Sequence, residues 1–385
     1  MNNAPRRPAS KFLRHTALGL LAAIGLAACG AEPVSTETVS APDVIIDPND
    51  CQPGYACSDP IPVKAVVVTM FEIGEDEGDL AGEFQLWKER RNLNVQIPFP
   101  HSHHDLFLEE DTGILVMVTG IGTMKSTSSI MALGLDQRFD LSQAYWLVAG
   151  IAGIDPEDAT IGSAAWAHYL IDGDLSHEID PREIPEDWKY GYFARGTDGP
   201  NATVPPEPTG ELFVLNEGLR DWAYELTKDI DIPESEGLIA EREQFTEHEM
   251  ARTSPKIMKG DHVAAMTFWH GEMMNDWAND WVKFWTEGEG EFVTSAMEDT
   301  GTLQSLTYLD NIGRVDVDRV MVLRSGSNFS MPPPGFTAAE YLLRENEVYS
   351  GMEAALEALY LAGTTVVDEL VANWEVYADE IPSAE

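Results

Sequence analysis

The stretch from Gly113 to Leu135, GILVMVTGIGTMKSTSSIMALGL, decides how the rest of the chain reads. Its opening, Gly113 to Thr119, is an unbroken apolar run, the pattern of a strand buried on both faces. Its end, Ser126 to Leu135, carries a helical pattern. Between them lies Gly120-Ile121-Gly122, followed by a hydroxyl-rich helix start. Backbone N–H groups at such a turn can cradle an anion or a sugar oxygen, and the same glycines also suit a plain tight turn. The spacing is not that of a P-loop, and the third glycine of a dinucleotide fingerprint is missing.

The same alternation recurs along the chain. Ala65 to Met70, Tyr145 to Ala149, Ala164 to Leu170, Val263 to Thr267 and Val317 to Leu323 read as further strands. Glu211 to Thr227, Glu272 to Trp285, Thr300 to Asn311, Ala338 to Ala362 and Thr364 to Ala378 read as helices. Strands alternating with helices predict an α/β domain over 62–385, a sheet with helices on both faces. Residues 172–210, rich in Asp, Pro and Gly but also holding Trp188, Tyr190, Tyr192 and Phe193, read as a long ordered excursion.

The N-terminus carries an address. Arg6, Arg7, Lys11 and Arg14 precede the apolar run Thr16 to Ala28, which ends in Leu26-Ala27-Ala28-Cys29-Gly30. A basic segment, an apolar core too short for a span, and small residues before a cysteine are the pattern of a lipoprotein signal over 1–28. Cleavage before Cys29 would leave that cysteine as a lipidated N-terminus. Gly30 fits sorting to an outer membrane, on its periplasmic face. Residues 29–61 read as a tether, and Cys51 and Cys57 near its end, with Pro53-Gly54 between them, read as a small disulfide loop. After residue 30 the best apolar run, Ala144 to Ile154, has two glycines and is too short to span a bilayer, so lipid is the expected membrane attachment.

The chain has 66 acidic and 24 basic residues, a formal net charge of -42. That argues against a nucleic-acid partner, which needs a cationic surface. The acids are scattered, as on a solvated surface. No Cys/His grouping has metal-ligand spacing, and no cofactor motif is present.

Ligands of α/β sheets gather at the C-terminal strand ends, and four more strings fall there. Ala149-Gly150-Ile151-Ala152-Gly153 suits a bend or a close approach to the backbone. Phe268-Trp269-His270 offers rings that could stack on a base or pack in a core. Met297-Glu298-Asp299 offers a carboxylate to cap a helix or to hold ribose hydroxyls. Arg324 to Phe329 precedes Pro332-Pro333-Pro334-Gly335, a rigid turn that suits a pocket wall.

Taken in order, Val118–Gly122 with Ala132–Gly134, Trp146–Ile154, Glu178–Pro185, Met297–Leu303 and Leu323–Gly335 resemble the purine nucleoside permease family over nearly all of 62–378. That family is in turn similar to nucleoside phosphorylases and nucleosidases, which implies a three-layer fold around a twisted mixed sheet. The resemblance implies that Glu298 holds ribose hydroxyls, with Met297 against the sugar. It places Phe268 and Trp269, with His270 next to them in the binding set, in the region of the base-stacking aromatic, and Gly150 and Gly153 behind the sugar. Gly120 and Gly122 join this nucleoside-binding set. Ser327-Asn328 stands where many relatives have Ser-Asp. An asparagine donates a hydrogen bond to a purine but supplies no carboxylic proton. Val148 and Ile151 replace the Arg and Ser that hold phosphate in phosphorylases. For hydrolysis, a water-activating acid could come from Glu72, Glu75 or Glu83 after the first strand, of which Glu72 is taken as the candidate with Asn328 at the leaving base, although three such acids also read as ordinary surface chemistry.

Two functions follow from the resemblance: capture of purine nucleosides for uptake at the cell envelope, and periplasmic N-glycoside hydrolysis. An envelope interaction protein on an old enzyme fold is a third. The related enzymes assemble, so a homo-oligomer is compatible.

Overall fold

The computed structural model describes residues 60–384 apart from 201, 206–207 and 346–349. The segment expected to be a signal, and Cys29, Cys51 and Cys57, lie outside the described residues.

Among the described residues, twelve strands form one sheet. In chain order they are β1 Ala65–Thr69, β2 Val95–Ile97, β3 Leu106–Glu109, β4 Ile114–Val118, β5 Tyr145–Ile154 and β6 Ala164–Trp166. Then come β7 Tyr169–Asp172, β8 Leu212–Val214, β9 Ile257–Lys259, β10 Asp261–Ala264, β11 Phe292–Ala296 and β12 Val320–Phe329. The main path runs β8-β7-β10-β11-β5-β1-β4-β3-β2, and β12 branches from β5 to reach β6 and β9. β1 is parallel to β4 and β5, and β12 is parallel to β5, whereas β11 meets β5 antiparallel, so the sheet is mixed.

Alternation along the central strands sorts the core into two layers. Val67, Val116, Leu147 and Leu323 point to one face, where they meet helices α1 Gln85–Arg90, α3 Glu217–Thr227, α4 Glu236–Arg242 and α8 Met352–Ala372. Val66, Leu115, Trp146 and Val322 point to the other, against α2 Thr123–Leu135 and α6 Asp299–Asp310. A third cluster packs Trp277, Trp281 and Trp285 of α5 Glu272–Trp285 on Ile171, Val263 and Phe292. Helices therefore cover both faces, as expected.

Several boundaries differ from the sequence reading. The glycines of 149–153 do not end their strand; β5 continues to Ile154 because β12 pairs with it along that whole stretch. Val317–Arg319 is a 3-10 turn, and the strand begins only at Val320 and runs through Ser327 and Asn328. The helix expected from Glu211 starts at Glu217, after β8 and the Asn216 cap, whose side chain accepts from Leu219 N–H. The region 164–170 is two strands. No helix break occurs at Gly363; α8 runs through it, and the missing side chain leaves room for the Trp87 ring, 2.9 Å from where a Cβ would stand. The earlier helix, α7 Ala338–Glu345, is separate. Within 172–210 the described residues hold the antiparallel pair Ser176–Glu178 and Tyr192–Ala194.

Trp87, 1 % exposed, locks α1 to α8 through Tyr360 at 5.3 Å between ring centroids. Trp87→Ala should therefore lower the unfolding free energy by about 3–5 kcal/mol, measured by urea denaturation.

Candidate functional site

The site grows out of a fork in the sheet. β5 pairs with β1 only from Tyr145 to Val148, and on the same side meets β11 only at Gly153 and Ile154. Backbone groups between those ladders need other partners. The Glu83 carboxylate supplies one, accepting N–H from Met70 just past β1 and from Ile151 of β5, each at 2.7 Å. Burial pushes Glu83 up to about 8, while Arg324 and the two N–H groups pull against it.

Arg324 lies on β12 beside Gly150 of β5 and is 1 % exposed. Its guanidinium bonds both oxygens of Asp299, at 3.0 and 2.8 Å, Oε2 of Glu298 at 3.1 Å and the Ile151 carbonyl at 3.1 Å. A Cβ on residue 150 would collide with Arg324 Nη1 and lie 2.9 Å from Glu83 Oε1, so the glycine makes room for both. Asp299 is fully buried. Burial alone would raise it, but Arg324 and then His262, whose Nε2 is 2.9 Å away, hold it well below the usual carboxylate range. His262 Nδ1 is in turn 3.0 Å from Thr294 Oγ1.

Glu298, 4 % exposed, stands at the junction of β11 and α6. Its Oε1 accepts Gly122 N–H at 2.8 Å, and the Thr123 hydroxyl donates to the Met297 carbonyl at 2.8 Å. The glycine turn thus presents its N–H to a protein carboxylate. Gly122, at φ 96, adopts a conformation L side chains avoid.

Beside this network is a narrow cleft lined by Gly153, Thr267, Phe268, Trp269, Met297 and Asn328, among others, with a cavity of about 20 Å³ that opens to solvent. A bulge in β12 sets Asn328 there: Gly326 faces Ala152 and Asn328 faces Gly153, leaving Ser327 as the extra residue. Asn328 Oδ1 accepts from Ser327 Oγ at 3.0 Å and Nδ2 donates to the Phe329 carbonyl at 3.2 Å. One amide N–H is left to offer.

The expected residues therefore divide. Gly153, Phe268, Trp269, Met297 and Asn328 line the cleft. Gly122, Gly150, Glu298 and Ser327 build the charged layer and the bulge next to it. Gly120 packs against Lys125 and His103. His270 stacks on Tyr341, with centroids 5.5 Å apart, and burial lowers its imidazole to about 4 against the Phe329 carbonyl.

Glu72 is spent on structure. Its carboxylate accepts N–H from Ile73, Gly82, Phe84 and Gln85, which leaves no lone pair for a water and folds the loop that presents Glu83. The acid in the fork is Glu83, one of the three acids offered after the first strand, and not Glu72. Arg324, Asp299 and His262 were also missed as a unit. A lone arginine within an apolar strand signals buried carboxylate partners, though not which ones. Among the described residues no group of His, Cys, Asp and Glu could hold a metal ion.

Comparison with known proteins adds family. The family model described as purine nucleoside permease matches residues 62–382. A purine nucleoside permease of Candida albicans is 34% identical over 318 residues, 81% of this chain and 76% of that one. A probable purine nucleoside permease of Schizosaccharomyces pombe is 33% identical over 272 residues, 69% of this chain and 77% of that one. Among solved structures, a 5'-methylthioadenosine/S-adenosylhomocysteine nucleosidase from Helicobacter pylori aligns over 80% of this chain and 99% of its own, with 15% identity and a TM-score of 0.48.

Glu83 gives the fork a pH signature. Unfolded, it ionises near 4.5; folded, near 8, so folding takes up a proton between those values. This contribution to stability is full below pH 4.5 and is lost as pH rises to 8. Glu83→Gln should flatten that part of the stability–pH profile in thermal melts. Gly150→Ala should lower the melting temperature by several degrees, about 1–3 kcal/mol of overpacking.

Proposed function

Since this chain belongs to the purine nucleoside permease family, we propose that it binds purine nucleosides at the strand-end cleft and takes part in their uptake at the cell envelope. The observation that carries this reading is the cleft itself. Separate strand ends bring Phe268 and Trp269, the Asn328 amide and Met297 around one space beside buried Glu298. The rings offer a stacking surface for a base. The Asn328 N–H suits a purine N7, and the Glu298 carboxylate suits ribose hydroxyls.

Among the described residues no helix is long and apolar enough to cross a membrane. Lipid on Cys29 is the attachment in this proposal, with the domain on the periplasmic side of an outer membrane. Uptake then means capture beside the membrane.

One observation favours N-glycoside hydrolysis as a second reading. Glu83 retains a proton up to about pH 8 within the network that holds Glu298. Such a group can exchange a proton at neutral pH. Phosphate is not part of either reading, because Val148 is buried in β5 between Val68 and Val322.

The full chain incubated with inosine, adenosine or guanosine, with and without phosphate, separates the readings. Saturable binding without free base is the expected result. Base release without phosphate would transfer the conclusion to hydrolysis, and release only with phosphate would defeat both. Glu298→Ala should weaken binding about 10- to 100-fold, the worth of a hydrogen bond to a charged group. Unchanged affinity would sink the ribose role.

A further inference from the structure

The strand-end cleft is closed too tightly for the occupant assigned to it. Its cavity of about 20 Å³ has room for about one water molecule. A base with its sugar needs many times that, so admission requires a wall to move. The walls differ in how they are held. Gly153 and Asn328 belong to β5 and β12, which pair along that stretch. Ser295 and Ala296 belong to β11, which pairs with β10 and, through Ser295, with β5. Ser330 N–H is bonded to the Ile154 carbonyl at 2.9 Å.

The remaining wall, Thr267–Trp269, lies between β10 and α5 and belongs to no strand or helix. Among the described residues, no backbone N–H from Thr267 to His270 has a hydrogen-bond partner. Met266, Thr267 and Phe268 are exposed in succession, Phe268 at 46 %. The far end of the segment is packed. Trp269 stands 6.0 Å from both Trp277 and Phe292 between centroids, His270 stacks on Tyr341, and Gly271 N–H meets the Ser330 carbonyl at 2.9 Å. The near end is tied only at Met266. Its N–H is accepted by Asp174 Oδ2 at 2.7 Å, and its Sδ accepts the Thr123 N–H at 2.9 Å. Thr123 opens α2, where an N–H has no partner within the helix. Both ties can therefore break without cost to a ladder or a helix.

We propose that Met266–Phe268 is a gate over the cleft, latched through Met266 to Asp174 and Thr123 and hinged on the packed end at Trp269–Gly271. It swings out to open the cleft and returns Phe268 over the occupant. That the occupant is a nucleoside rests on the function proposed above, and the gate can be tested without one.

Asn328 lines the cleft and is 4 % exposed, so Asn328→Cys puts a thiol behind the closed gate. Its alkylation by iodoacetamide is followed by mass spectrometry in the full chain, with and without Asp174→Ala, against the parent chain as background. The thiol should react at least about tenfold more slowly than in the urea-unfolded chain, and Asp174→Ala should speed it about tenfold, the worth of one hydrogen bond to a charged group. A thiol as reactive as in the unfolded chain, one that never reacts, or a rate that Asp174→Ala leaves unchanged would overturn the gate. In the chain with Asn328 intact, inosine binding is followed by stopped-flow tryptophan fluorescence. The observed rate should level off at high inosine, at a plateau that Asp174→Ala raises by the same factor; a rate that climbs in proportion to inosine throughout counts against the gate. A gated thiol in a chain that ignores inosine would remove the nucleoside reading and leave the gate standing. If Asp174→Ala melts early, Met266→Leu, which removes the sulfur that accepts from Thr123, is read in the same way.

Discussion

A guanidinium buried inside a sheet must be neutralised where it stands, and Arg324 sets that condition for the whole site. Leaving such a charge unpaired costs several kcal/mol. Asp299 answers with both oxygens and Glu298 with one, so the junction of β11 and α6 is fixed relative to β12. Glu298 is then held from its other side by Gly122, which ties the start of α2 to the same charge. Gly150 is the space through which the arginine reaches its partners. Removing the arginine would strand two acids in the core, a heavier loss than removing either acid.

The layered fold was legible because its signal is local. Apolar runs such as Ile114–Val118, a glycine turn and the Thr123–Leu135 helix can be read from neighbours in sequence. The short strands Val95–Ile97, Leu106–Glu109 and Phe292–Ala296 escaped because each depends on a partner strand for its character. Glycine misled in two places, at 150–153 and at 363. In both, the missing side chain serves a close approach in an element that continues, whereas the local rule reads glycine as a break.

The site was legible in its types and less so in its geometry. Met297-Glu298, Phe268-Trp269 and Asn328 fall together as strings at strand ends would, but the order of importance among Glu72, Glu75 and Glu83 could not be read. Which carboxylate is buried depends on a loop that Glu72 itself folds, through hydrogen bonds spanning residues 73 to 85. The bulge at Ser327 is equally non-local, because it is defined by the register of β12 on β5.

The fork has a bearing on solubility as well as on binding. Where β5 lies free of both β1 and β11, the sheet has an internal edge, and unpaired edge positions invite another strand to add. Glu83 occupies one such position with a side chain, at Ile151. Its carboxyl group thereby takes, from a side chain, the backbone N–H that a neighbouring strand would otherwise bond.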